Sequence, residues 1–158
     1  MDNFKRIYLF PYETKILGIL LAILGIILGV FRFYFGIKPE YLEVKVFAVY
    51  SSFLESKYLS VITNNISEEI TGLILLAGLT IIAFSEEKFE DETIMQIRMR
   101  SLFYSVYANI FFTCFAFVFI FGLGFIYFLV LNIFLQLFVF ILFFRYKLYE
   151  YNKSNPNL

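Results

Sequence analysis

Residues 101–144 read SLFYSVYANIFFTCFAFVFIFGLGFIYFLVLNIFLQLFVFILFF, and this stretch decides the fold. It holds 44 residues without a charged side chain, and Arg100 and Arg145 flank it. One helix of that length would extend about 66 Å, roughly twice the thickness of a bilayer's hydrocarbon core. The chain must therefore reverse direction inside the stretch, and we expect the turn at the Gly-Leu-Gly sequence of 122–124. The stretch predicts two transmembrane helices, over residues 102–121 and 125–144.

Two further apolar segments, at 16–35 and 70–84, bring the predicted number of transmembrane helices to four. The chain of 158 residues is 61% hydrophobic, which is more apolar material than a soluble domain of this size can bury. Nine basic residues lie in segments 1–15, 85–100 and 145–158, against four on the other predicted side. This asymmetry predicts cytoplasmic termini. The predicted fold class is therefore an all-α integral membrane protein with four transmembrane helices, N-in and C-in.

Residues 36–69 form the longest polar segment, and we expect them to make a small extracytoplasmic cap between the first two spans. Residues 43–50 alternate charged and apolar side chains, which favours a β-strand. Residues 51–61 fit a short helix on the membrane surface instead. The sequence Asn-Asn-Ile-Ser-Glu-Glu at 64–69 then predicts a helix start, with the Ser67 hydroxyl accepting from a first-turn amide.

Residues 85–100 form a charged connector in which acidic residues precede basic ones, the order that a helix dipole favours. We expect a helix that begins near Asp91 and continues into the third span. The connector is either a solvated cap with its basic residues at the lipid headgroups or a docking site for a cytoplasmic partner. A weak carboxylate site for Mg²⁺ or Ca²⁺ is a third alternative, although the spacing of a Ca²⁺ loop is missing. The candidate residues are Glu86, Glu87, Glu90, Asp91, Glu92 and Arg98.

Small residues form a stripe along the first span, because they recur at steps of four, three and four. They are Gly18, Ala22, Gly25 and Gly29. Such a stripe lets another helix approach closely in lipid. The approaching helix is either the second span, itself rich in small residues, or a second copy of the chain.

Polar side chains are scattered through the last two spans, with Asn109 and Thr113 on one and Asn132 and Gln136 on the other. Each is costly in lipid unless it is hydrogen-bonded, so we expect Asn109 to bond to Gln136 or Asn132 across the helical hairpin. The alternative is that these residues line a path shared by several copies.

The sequence offers little for catalysis, since it has no histidine and no paired intramembrane carboxylates. Cys114 has no polarising neighbour in sequence and is interpreted as an inert packing residue. We expect no catalytic, cofactor or metal site, and the zero net charge does not favour nucleic acid as a partner. The favoured function is a non-enzymatic module that senses or anchors through a partner. The alternative is a homo-oligomeric channel or membrane-disrupting effector.

Several short motifs carry a family resemblance: the 64–69 sequence, Ser-Glu-Glu-Lys at 85–88, Glu-Asp-Glu at 90–92, and Ile-Arg at 97–98. Across residues 40–148 the chain resembles small four-span membrane proteins of gut and marine Bacteroidota. The resemblance implies a location in the bacterial inner membrane and a cytoplasmic regulatory partner. It implies no activity.

Overall fold

The computed structural model describes residues 8–52 and 56–154, which are mostly helical. In these residues four helices are long and apolar enough to cross a membrane, as the sequence predicts. The first continues from an α-helix into a short π-helix. The elements are α1 (Thr14–Gly29) with its π-helical extension (Val30–Tyr34), β1 (Glu43–Ser52), β2 (Ser56–Asn65), α2 (Ser67–Phe84), α3 (Glu92–Phe119) and α4 (Leu123–Ser154).

The predicted reversal between the last two helices is confirmed at Gly122, whereas Leu123 and Gly124 already lie in α4. Gly122 lies between α3 and α4 with φ +67°, a backbone conformation that glycine adopts without steric cost. Both helices are longer than their predicted spans, because polar turns extend each beyond its apolar stretch. The predicted start near Asp91 is also confirmed, since the Asp91 carboxylate accepts a hydrogen bond from the Ile94 amide at 2.7 Å.

The segment between α1 and α2 corrects the all-α prediction, because it contains an antiparallel β-hairpin. The hairpin pairs Phe47 with Val61 and Glu43 with Asn65. The short helix predicted over 51–61 is wrong: residues 51, 52 and 56–61 lie in strands, and residues 53–55 lie outside the described part of the chain. A lone strand at 43–50 would leave its backbone groups unpaired, and the second strand supplies their hydrogen-bond partners.

The helices pack as two pairs, α1 with α2 and α3 with α4, and the pairs meet where α2 contacts α4. Glycines allow the close approach of α1 and α2: a Cβ atom added to Gly25 would lie 2.8 Å from the Leu75 Cα atom. The second span therefore packs against the small-residue stripe. We call the end of the molecule where α2 runs into α3 the connector end, and the opposite end the hairpin end.

Candidate functional site: an ion-pair cluster and a polar seam

A cluster of ion pairs lies at the connector end. The Lys15 ammonium lies 2.5 Å from the Glu87 carboxylate, and the Arg145 guanidinium approaches the same oxygen at 3.6 Å. Arg98 pairs with Glu90 at 3.0 Å. We call these five residues the ion-pair cluster. Because they come from α1, the connector, α3 and α4, the cluster joins the two helix pairs.

Arg98 is the most buried member of the cluster, with 3% of its surface exposed. Its guanidinium donates to the Ala83 carbonyl oxygen at 3.0 Å and lies 4.4 Å from the centre of the Phe144 ring. The prediction that the connector's basic residues sit at the lipid headgroups is therefore wrong for Arg98. It is buried because it satisfies a free carbonyl group at the end of α2 as well as Glu90.

The segment before α1 is also bound to the connector. The Phe10 amide donates to the Phe84 carbonyl and the Glu86 amide donates to the Phe10 carbonyl, both at 2.9 Å. The Thr14 and Ser85 hydroxyl oxygens lie 3.3 Å apart, and Ser85 is fully buried. These contacts hold the beginning of the connector in one position relative to α1.

The five connector acids divide into two groups. Glu87, Glu90 and Asp91 are engaged within the chain, whereas Glu86 and Glu92 are exposed. Phe89 lies between them in sequence and is 72% exposed. We call Glu86, Phe89 and Glu92 the exposed connector surface. Across the described residues, no group of three or more His, Cys, Asp or Glu side chains is positioned to hold a metal ion.

Polar side chains bridge α3 and α4, although not in the predicted pairs. Gln136 donates to the Ser105 hydroxyl at 3.2 Å, and Asn132 donates to the Thr113 hydroxyl at 3.1 Å. The predicted Asn109 bridge is wrong, because the two amides bond to hydroxyl groups one turn on either side of Asn109. The four-residue spacing of Ser101, Ser105, Asn109 and Thr113 was the missed signal, since it places hydroxyl groups on the same face as Asn109.

The hairpin end corrects the predicted start of α2. Ser67 is the first residue of the helix rather than its N-cap, and its buried hydroxyl has no hydrogen-bond partner among the described residues. The Asn65 side chain instead accepts from the Ser67 amide at 3.2 Å. Glu68 forms an ion pair with Arg32 of the π-helix.

The remaining small-residue candidate, Gly29, faces Thr71 at an ordinary contact distance. A Cβ atom added to Gly29 would lie 3.7 Å from the Thr71 methyl carbon.

Comparisons with protein-family models, curated proteins and solved structures find no match for this chain. The resemblance to the four-span Bacteroidota proteins therefore stays a prediction. What the ion-pair cluster and the polar contacts between α3 and α4 can do is therefore argued from their own residues.

Proposed function

We propose that the protein is a non-enzymatic, multi-pass module of the bacterial inner membrane that senses or anchors through a cytoplasmic partner. The observation that carries the proposal is the ion-pair cluster. It fixes the connector to α1, α3 and α4 and leaves Glu86, Phe89 and Glu92 exposed on a segment that is already ordered. A surface that is ordered before binding loses less conformational entropy when a partner docks.

The chemistry of the exposed connector surface describes the partner. Two carboxylates flank one large aromatic side chain, and exposed aromatic residues are frequent anchors of protein interfaces. The complementary surface is basic where it meets Glu86 and Glu92, and it contains an apolar pocket for the Phe89 ring, beside which the exposed Lys88 ammonium lies at 5.7 Å from the ring centre. In this proposal both termini and the connector are cytoplasmic, which the distribution of Lys and Arg supports.

The β-hairpin is the second element of the proposed module. Apart from its ends it packs on itself rather than on the helices, and it presents apolar side chains such as Phe47 and Val61 to its surroundings. It connects α1 directly to α2, so displacement of the hairpin would act on the helix pair that Lys15 ties to the connector. This route would carry a signal from the extracytoplasmic side to the connector.

A photo-crosslinking residue at position 89, introduced into the full chain in cells, tests the proposal. We expect a crosslink to one discrete protein, and we expect Glu86→Lys with Glu92→Lys to reduce it at least fivefold. Glu40→Lys with Glu43→Lys, at two exposed acids of the hairpin end, is the matched charge control and should leave the crosslink unchanged. A crosslink that is insensitive to the connector charges, or one to lipid alone, would contradict the proposal.

The second candidate is a homo-oligomeric channel or membrane-disrupting effector. It is favoured by the buried side-chain oxygens of Asn109, Asn132 and Gln136, which have no donor among the described residues. Flux of a dye or of ions from liposomes that contain the purified protein distinguishes the two candidates. Flux that depends on protein concentration supports the channel, whereas tight liposomes support the module.

A further inference from the structure

Five buried polar atoms along α3 and α4 have no hydrogen-bond partner among the described residues. They are Arg98 Nε, Ser101 Oγ, Asn109 Oδ1, Asn132 Oδ1 and Gln136 Oε1. Ser101 is completely buried and Arg98 is 3% exposed. Buried polar groups without partners are rare in folded proteins, and each requires a specific explanation.

These atoms belong to one continuous row. Residues 98, 101, 105, 109 and 113 follow one another on α3 at steps of three or four, and such steps keep side chains on one face of a helix. Two hydrogen bonds to α4, from Gln136 to Ser105 and from Asn132 to Thr113, show that this face is turned toward α4. The row extends about 22 Å along the helix axis at 1.5 Å per residue. We call it the polar seam.

The unpartnered atoms specify the chemistry of the missing ligand. Three are amide oxygen atoms that only accept hydrogen bonds, one is the Ser101 hydroxyl, which both donates and accepts, and one is the Arg98 N–H group, which donates. A metal cation would meet the Arg98 guanidinium, with Lys15 and Arg145 close by in the same cluster. An anion would face the side-chain oxygens of Asn109, Asn132 and Gln136. Water both donates and accepts, so one kind of molecule can satisfy every atom in this mixed set.

We propose that the polar seam binds a file of ordered water molecules that begins at the ion-pair cluster and ends near Asn132. Beyond Asn132 the two helices are apolar except for Cys114 and Tyr127, which are both exposed. The rings of Phe117 and Phe125 lie 5.0 Å apart, and Ala116 is fully buried. Apolar packing therefore closes the hairpin end, and we expect the file to exchange with solvent at the connector end, past the buried Arg98 and Ser101. It adds a binding site to the protein and does not depend on the proposed partner.

Water-edited solid-state NMR of the full chain in lipid bilayers tests the inference. We expect magnetisation from water to reach the side-chain amides of Gln136 and Asn132 early. The transfer should be nearly as fast as the transfer to the backbone amide of Glu86, an exposed residue. The amides of Phe103 and Phe138, two exposed apolar residues on the same helices, are the controls and should receive it at least threefold more slowly. Equal rates at Gln136 and Phe138 would overturn the proposal.

Two matched variants locate the file within the seam. Ser101→Ala removes one oxygen atom between the connector and Gln136, and should slow the transfer to Gln136 at least twofold. Thr113→Val removes a hydroxyl group beyond Gln136 and should leave that transfer unchanged. If Ser101→Ala has no effect in a protein whose backbone spectrum is otherwise unaltered, water does not enter from the connector. Side-chain shifts in the seam that change when Na⁺ replaces K⁺ would indicate a bound cation and would also overturn the proposal.

Discussion

At the scale of single residues, the contact between α1 and α2 depends on glycines whose neighbours are backbone atoms. A Cβ atom added to Gly78 would lie 2.8 Å from the Ala22 Cα atom and 2.9 Å from the Gly18 carbonyl oxygen. Backbone atoms cannot move aside as a flexible side chain can, so the helices would have to separate. At Gly72, in the same helix, the nearest atom would be 3.9 Å away, in the Phe134 ring.

Gly78→Ala should therefore destabilise the protein by about 1–3 kcal/mol, the usual cost of overpacking. Gly72→Ala should be neutral or stabilising, because alanine favours the helix by about 1 kcal/mol and meets only an ordinary contact here. Thermal unfolding followed by circular dichroism in detergent measures both. Equal melting temperatures for the two variants would mean that α1 and α2 are not packed at this distance.

The ion pair of Lys15 with Glu87 is a second feature at this scale. The exposed side-chain fractions are 8% for Lys15 and 12% for Glu87, so removal of one partner leaves the other charge buried. Glu87→Ala should lower the free energy of unfolding by about 3–5 kcal/mol, whereas Glu86→Ala, at an exposed neighbour, should change it little. The double variant Lys15→Met, Glu87→Met should recover most of the loss, because no unpaired charge then remains at either position. If Glu87→Ala lowers the free energy of unfolding as little as Glu86→Ala does, the pair of Lys15 and Glu87 is exposed to solvent.

At the scale of secondary-structure elements, the β-hairpin is structurally separate from the helices. A two-stranded hairpin is marginally stable by itself, and this one gains little from the rest of the described chain. Two contacts at the start of α2 lie at the base of the hairpin. They are the hydrogen bond from the Ser67 amide to the Asn65 side chain and the ion pair of Glu68 with Arg32.

Replacing residues 45–63 by an Asn-Gly turn removes most of the hairpin and keeps these basal contacts. We expect the melting temperature of the helices to change by less than about 3 °C, which corresponds to roughly 1 kcal/mol in a chain of this size. A scrambled 45–63 segment of the same length is the control for chain length. A loss of more than about 10 °C on excision would show that the hairpin supports the helices.

The helices and their turn could be predicted from the sequence because long apolar runs and a glycine pair leave few alternatives. The hairpin was half predicted: the alternation at 43–50 is clear, but only pairing with β1 makes 56–65 a strand. The ion-pair cluster was not predicted, although Glu87, Glu90 and Arg98 were candidates. Its partners Lys15 and Arg145 are 72 and 58 residues from Glu87 in sequence, and only the packing of the helices brings them together.

At the scale of the whole molecule, the two helix pairs are joined mainly at the connector end. There the ion-pair cluster and the aromatic contact of Phe84 with Phe140, at 5.8 Å between ring centres, link α2, α3 and α4. The Arg32–Glu68 pair at the hairpin end links only α1 with α2. Charged residues therefore occur at both ends of the helices. Most of the charged residues that link the α1–α2 pair to the α3–α4 pair lie at the connector end.

The proposed orientation predicts which residues are accessible from each side of a bilayer. In a Cys114→Ser background, Thr63→Cys should react with an impermeant maleimide in cells whose inner membrane is intact. Glu92→Cys should react only after that membrane is permeabilised. Both positions are exposed in the folded chain, so accessibility across the membrane decides the result. The opposite pattern would reverse the proposed orientation.

The π-helix at the end of α1 has a consequence for how this chain tolerates length changes. The Phe35 amide bonds to the Val30 carbonyl, so the turn accommodates one residue more than an α-helical turn. A deletion at position 30 or 31 would allow an ordinary helix to form there. It would also rotate Arg32 by about 100° around the axis, away from Glu68. The extra residue thus sets the direction in which this arginine leaves the helix.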